Sequence, residues 1–388
     1  MHEDAIPHDF DTVNGLKFGG IKEGKNGLGV VLCSGNIAGV FTKNKIKSAP
    51  VILTSEHIKN GKVKGIVVNS GNANAYTGEE GLRNAERMAE LLADRIGCKK
   101  EEVAVCSTGV IGYQLEMNWI EKKIDEVFRN LSSSKSAVID FAKSIMTTDS
   151  FPKVCSVKVD SAVICGIAKG AGMIAPDMAT MLAFIFTDAY FDSETLQSIL
   201  REAVDVSFNT AIVDGDTSTN DTVLLISCGN KVVDRSKFQK ALNEVCFKLA
   251  KMIVRDGEGA TKVFEVHVIN ARDNESAFKG AKTIARSILV KTAIFGCDAN
   301  WGRIISAIGY SGIEVTDNIS IWFEARKERV TVLKNGKRTG NEPLASKLMR
   351  KNDDFKIFVD LHMGNGKGHA IGCDLTYDYV KLNAEYTT

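Results

Sequence analysis

The chain has 388 residues, of which 44% are hydrophobic and 25% charged, with 49 Lys and Arg against 48 Asp and Glu. This composition supports a large core or two lobes and excludes a disordered or low-complexity protein. The net charge of +1 gives no electrostatic footprint for nucleic acid or an anionic membrane, so small polar metabolites are the expected ligands. The nine cysteines are an odd count, scattered singly without a Cys-x-x-Cys pair, which predicts buried thiols and neither a disulfide framework nor a zinc cluster. Met1-His-Glu-Asp-Ala-Ile-Pro7 lacks the basic and apolar regions of a signal peptide, and no apolar run reaches the length of a membrane span. A cytoplasmic protein is the expectation.

Short Val/Ile-rich runs alternate with amphipathic segments along the chain. Residues 64–69 read as a strand, and 80–96 as a helix with Leu82, Ala85, Met88, Ala89, Leu92 and Ile96 on one face. Residues 103–106 and 154–167 read as strands. Met181 to Phe186 is too short for a lone helix and too apolar for a loop, so it reads as a strand buried on both faces. Helical periodicity returns at 194–206, 236–254 and 275–289, with strands at 222–228 and 263–269. The turn-rich stretch Asn335 to Pro343 reads as a loop between late strands. The class is mixed α/β, with helices covering a central pair of sheets. Periodicity alone leaves a doubly wound parallel sheet and a four-layer sandwich both open.

The most informative segment is Lys169 to Phe186, where Thr180 stands between a flexible small-residue stretch (Gly170, Gly172, Ala175, Pro176, Ala179) and the apolar strand. A threonine hydroxyl there could attack its own preceding carbonyl and split the chain at Ala179-Thr180. A terminal threonine carries its own base, an α-amine with an ordinary pKa of about 8, and so becomes nucleophile and proton acceptor in one residue. The same pattern also suits a threonine that simply begins a strand. Ser107-Thr108-Gly109, at the end of an apolar strand, could hold an oxyanion or form an ordinary turn. Lys169 could meet a substrate carboxylate or lie solvated on the surface. Glu258, in a glycine-flanked bend, could bind an amino group or be a polar turn residue. Gly364-Asn-Gly-Lys-Gly-His369 lacks the spacing of a phosphate loop, Asp214, Asp216 and Asp221 do not fit a calcium loop, and His57, His267, His362 and His369 have no metal-ligand spacing.

Around Ala179-Thr180-Met181-Leu182 stand further blocks in order: Ser70-Gly-Asn-Ala-Asn-Ala75, Ser107-Thr-Gly-Val-Ile-Gly112, Met146-Thr-Thr-Asp-Ser-Phe-Pro-Lys153, Val213-Asp-Gly-Asp-Thr-Ser-Thr-Asn-Asp221, Arg255-Asp-Gly-Glu-Gly-Ala-Thr-Lys262, Gly296-Cys-Asp-Ala-Asn-Trp-Gly-Arg303 and Gly364-Asn-Gly-Lys-Gly368. Together they resemble the ornithine acetyltransferase family, the monofunctional or bifunctional glutamate N-acetyltransferases of arginine biosynthesis. The resemblance implies a two-sheet core flanked by helices (αββα-like, as in DmpA and ornithine acetyltransferase) with a smaller C-terminal α/β lobe. It implies self-cleavage into an α chain, 1–179, and a β chain, 180–388, the latter divided into core to about 280 and lobe from about 281. Thr180 would be the nucleophile, and Thr108 and Gly109 the oxyanion donors. Thr147 (with Thr148 beside it), Lys169, Glu258, Asn383 and Thr388 would contact substrate, the last requiring the tail to fold back. The implied reaction moves acetyl from N2-acetylornithine to glutamate through acetyl-Thr180, with no metal or cofactor and with acetyl-CoA only as a further donor in bifunctional members. The implied assembly is α2β2. The rival readings are an N-terminal-nucleophile amidohydrolase or aminopeptidase, and an uncut metabolite-binding protein.

Overall fold

The computed structural model describes residues 10–175 and 181–385; Ala179, Thr180 and Thr388 lie outside the described residues. In chain order the elements are β1 (Lys17–Glu23), β2 (Asn26–Phe41), α1 (Ala49–His57), β3 (Lys62–Asn72), α2 (Gly78–Ile96), β4 (Val103–Val110), α3 (Met117–Arg129), α4 (Lys135–Ser144), β5 (Lys153–Val159), β6 (Ala162–Lys169), β7 (Leu182–Ala189), α5 (Ser193–Asp205), β8 (Ala211–Ile212), β9 (Thr222–Lys231) and α6 (Arg235–Arg255). There follow β10 (Val263–Ala271), α7 (Asn274–Arg286), α8 (Ile288–Phe295), α9 (Trp301–Gly309), β11 (Ser320–Ala325), β12 (Glu328–Lys334), β13 (Lys337–Arg338), α10 (Glu342–Lys351), β14 (Asp354–Asp360), β15 (Gly366–Cys373) and α11 (Tyr377–Glu385).

The first sheet runs β4-β3-β2-β9-β7-β6-β5, with β1 also on β2. The long strand β2 pairs with β1 and β3 through its first part and with β9 through Asn36–Phe41, and its register on β3 shifts between Leu32 and Gly35. Such a shift bends a strand, and here it lets one sheet fold over on itself. The alternation of side chains shows the result. Ile66, Val68, Ala104 and Cys106 share a buried cluster with Leu182, Phe184 and Phe186, so the two halves of the sheet face each other. Their alternates point outward: Val67, Val103 and Val105 cluster with residues of α2 and α3, and Ala183, Ile185, Val223 and Leu225 with those of α5 and α6. The architecture is therefore helix, sheet, sheet, helix. The sequence pattern had left it open because β7 and its neighbours are buried on both faces and show no alternation. Phe18 meets Phe186 edge-on at 5.7 Å and Phe141 meets Phe184 at 5.6 Å inside this layer. Each such ring, fully buried, contributes about 1.5–3 kcal/mol.

The second sheet, β13-β12-β11-β14-β10-β15-β8, carries its own core with α7 to α10. Apart from the short β8, which pairs with β15, its strands run from β10 onward. Helix α6 contacts β5 and β6 of the first sheet and β15 of the second, so it forms a shared wall between the lobes.

Three local expectations are corrected. The run 154–167 is a hairpin, not one strand: the polar pair Asp160-Ser161 turns it, Asp160 taking a left-handed φ of 50° that short polar side chains tolerate. The helix expected over 275–289 breaks at Ser287, which is extended (φ −63°, ψ 115°) and whose hydroxyl accepts from Val290 N to cap α8. The stretch 335–343 begins as an Asn335-Gly336 hairpin turn, both residues at positive φ, and leads through β13 into a helix rather than a further strand. Among the described residues no helix is long and apolar enough to cross a membrane.

Candidate active site

Strands β4 and β6, the turn after α4, the bend after α6 and helix α11 converge on one cavity of about 220 Å³. Its walls include Thr108, Gly109, Thr147, Lys169, Glu258 and Asn383, all expected site residues, with Thr148 beside them. A larger groove of about 1070 Å³ along α7, α8 and α9 contains none of these residues. The chemistry, not the size, locates the site.

Thr108 and Gly109 stand where β3 and β4 slip in register at Gly71/Asn72. Gly109 has φ +136°, and a Cβ there would lie 2.2 Å from the Gly71 carbonyl carbon, so only glycine fits. Lys169, at the end of β6, is 1% exposed. Its Nζ donates to Thr108 Oγ1 at 3.1 Å and to Thr147 Oγ1 at 3.0 Å. Since an ammonium only donates, both hydroxyls must accept from it and turn their own protons away. Burial presses the Lys169 pKa down, and the Asp149 charge opposes that shift.

A largely buried ion network braces these groups. Lys153 Nζ reaches Asp149 Oδ1 at 2.7 Å and Asp256 Oδ2 at 2.6 Å. Asp149 also accepts from Gly170 N at 2.6 Å and from Thr147 N at 3.0 Å, and Asp256 accepts from Ser150. Burial works against ionisation of Asp149, yet the Lys153 and Lys169 charges with these donors hold its carboxyl below the usual range. One network thereby fixes Thr147, the end of β6 and the bend that carries Glu258.

In that bend Glu258 N donates to Ala171 O at 3.0 Å, and Glu258 Oε2 accepts from Asn383 Nδ2 of α11 at 2.9 Å. Its carboxylate lies against the bare backbone of Gly172. The cavity thus has a cation on one wall and an anion on another, with hydroxyls between, a lining suited to an amino acid's carboxylate and ammonium groups.

The acids discounted as calcium ligands have another place. Asp214 accepts from Met173 N at 2.7 Å and Ile174 N at 3.0 Å, just before residues 176–180, and Asp221 Oδ1 accepts from Met181 N at 2.8 Å, just after them. Between these acids, Asn220 Nδ2 donates to Ala73 O at 2.6 Å and to Ser107 O at 2.8 Å, tying the loop to β4. Sequence reasoning placed the Val213–Asp221 block in the resemblance but gave its acids no role, because partners some 40 positions away leave no local signal. Among the described residues no three His, Cys, Asp or Glu side chains converge as metal ligands.

Compared with known proteins, residues 13–388 match the model of the ArgJ family. The chain belongs to the ArgJ family. It is 55% identical over 380 residues to the arginine biosynthesis bifunctional protein ArgJ of Archaeoglobus fulgidus, covering 98% of this chain and all of that protein. It is 46% identical over 388 residues to a glutamate N-acetyltransferase of Methanothermobacter thermautotrophicus, covering 97% and 96% of the two. Among solved structures, the arginine biosynthesis bifunctional protein ArgJ of Bacillus halodurans matches with 48% identity and a TM-score of 0.50 over 52% of this chain and 98% of that one. The family expected from the ordered blocks is the family found.

Proposed function

We propose that this chain is a self-cleaving acetyltransferase of arginine biosynthesis that moves acetyl from N2-acetylornithine to glutamate. The observation that carries the reading is the convergence of Thr108, Gly109, Thr147, Lys169, Glu258 and Asn383 on one cavity, in a chain akin throughout its length to glutamate N-acetyltransferases. The Thr180 hydroxyl attacks the Ala179 carbonyl, the acyl group moves from nitrogen to oxygen, and water hydrolyses the resulting ester, leaving an Ala179 carboxyl and a free Thr180 hydroxyl and amine. The Thr180 hydroxyl oxygen then attacks the acetyl carbonyl as its proton passes to the amine, and Thr108 and Gly109 hold the oxyanion. The carbon–nitrogen bond breaks, the proton moves to the leaving nitrogen and ornithine departs. The glutamate amine next attacks the acetyl-threonine ester, the threonine oxygen leaves and recovers a proton, and N-acetylglutamate is released. Lys169 would take the α-carboxylate of donor and acceptor in turn, and Glu258 the side-chain ammonium of the ornithine moiety, with Thr147, Asn383 and Thr388 as further contacts. These groups perform the transfer without a metal or cofactor.

A solved relative whose chain aligns almost entirely with about half of this one supports a cut near the middle. The cut pieces, 1–179 and 180–388, stay associated because β7 lies between strands from both sides of the cut, β6 and β9; we assign the assembly as α2β2 and the location as cytoplasm. Incubation with N2-acetylornithine and glutamate tests the reaction: N-acetylglutamate and ornithine are expected in equal amounts, whereas acetate in place of acetylglutamate makes the enzyme an amidohydrolase. Glutamate with acetyl-CoA alone then reports whether the second donor is used.

A further inference from the structure

The carboxyl of Asp221 is completely buried, and only one of its oxygens is accounted for. Oδ1 accepts the Met181 N–H at 2.8 Å, whereas Oδ2 has no hydrogen-bond partner among the described residues. The neighbouring Thr42 hydroxyl lies close enough to lower the carboxyl's pKa, but its single proton goes to Ser218 O at 2.6 Å. An orphaned carboxylate oxygen in the interior costs about 1–3 kcal/mol or more, so such atoms call for a partner. The backbone defines where one can come from. Met181 N, held by Oδ1, is joined through a single residue's Cα and carbonyl carbon to the Thr180 nitrogen, so covalent geometry keeps the two nitrogens within about 4 Å.

We propose that Asp221 is the positioning residue for the amino group that cleavage liberates on Thr180, with Oδ1 fixing the Thr180–Met181 peptide and Oδ2 accepting from the new terminal amine. This rests on the cleavage reading above and extends it. Before the cut the Thr180 nitrogen is an amide with one hydrogen; afterwards it is an amine with two, or an ammonium with three. The cut therefore creates a donor that Oδ2 lacks among the described residues. The arrangement also has a use during transfer. As the threonine hydroxyl proton arrives on the amine, an ammonium forms beside a carboxylate already held in place. A buried aspartate steadies the histidinium of a serine protease in the same manner. In the uncut chain burial pushes the Asp221 carboxyl well up, with the Met181 N–H, the Lys169 charge and the Thr42 hydroxyl pulling the other way. A newly formed ammonium adjacent to Oδ2 would favour its ionised form.

Two measurements test the proposal. In the isosteric variant Asp221→Asn, Oδ1 still accepts from Met181 N, but the negative charge is gone. For cleaved variant protein the expected result is a fall in kcat of about 100-fold or more with KM for acetylornithine within about threefold, in line with the loss of a triad aspartate. A kcat within twofold of the parent overturns the proposal, as does a fall shared equally by the two constants. Because that variant could fail to fold or to cut, a crystal structure of the cleaved parent protein gives an independent answer. The Thr180 nitrogen should lie within about 3.2 Å of Asp221 Oδ2; a separation above 4 Å overturns the assignment while leaving self-cleavage and transfer intact. A parent chain that is active while still in one piece would instead sink the cleavage reading itself.

Discussion

Gly172 offers a sharp test of what Glu258 does. A Cβ at position 172 would have as its three nearest neighbours atoms of the Glu258 carboxyl group, at 2.5–2.6 Å, and the glycine does not occupy a left-handed conformation. Ordinary contact needs about 3.5 Å, so Gly172→Ala must push the carboxylate back by about 1 Å. That group is the end of a flexible side chain, and the backbone can accept alanine, so stability should change by less than about 1 kcal/mol. The site should suffer much more. A shift of that size breaks the 2.9 Å bond from Asn383 and would misplace the proposed anchor for a substrate ammonium. A hydrogen bond to a charged group is worth about 1.5–3 kcal/mol, which at about 1.4 kcal/mol per decade means a roughly 10- to 150-fold weakening. Steady-state kinetics of the cleaved variant should show KM for acetylornithine raised by that factor and kcat changed only a few-fold, with Tm nearly that of the parent. An unaltered KM in folded, cleaved protein would refute the role given to Glu258.

Two further perturbations address the other walls. Thr108→Val removes a proposed oxyanion donor while keeping shape, and should lower kcat by about 10²–10³ with little effect on KM, whereas Thr108→Ser should retain most activity. Asp149 has a folded pKa below its unfolded one, so its stabilisation is complete above about pH 4 and is lost as pH falls through the depressed value. Denaturant unfolding between pH 4 and 2 should therefore show stability falling by up to about 1.4 kcal/mol per pH unit for this group, and Asp149→Asn should flatten the slope.

Much of the fold was legible where burial is one-sided. The face of α2 expected from Leu82 to Ile96 forms, with Ala85, Met88, Ala89 and Leu92 buried. Helix α3 carries an equally readable signal in Ile120, Ile124 and Val127, yet it was not identified. Strand β2 is a different case. It is glycine-interspersed and bent, and it changes partner part-way, so its residues follow no single alternation. At the site, the resemblance supplied Thr108, Gly109, Thr147, Lys169, Glu258 and Asn383, and the fold gathers all six. Its blocks contain Asp149, Lys153, Asp214 and Asp221 but gave them no role. An isolated acid in a turn looks the same whether it faces water or grips a backbone N–H across the sheet; only the folded chain distinguishes them. Lys169 shows the converse: a lysine beside glycines suggests a solvated surface, but hydroxyl acceptors and the nearby Asp149 charge accommodate it in the interior.

The proposed chemistry requires that the chain be cut immediately before Thr180. Denaturing mass spectrometry of the purified protein should give two polypeptides, residues 1–179 and 180–388, and Thr180→Ala should give one intact, inactive chain. A parent protein that remains whole yet transfers acetyl, or an alanine variant with undiminished activity, would contradict it.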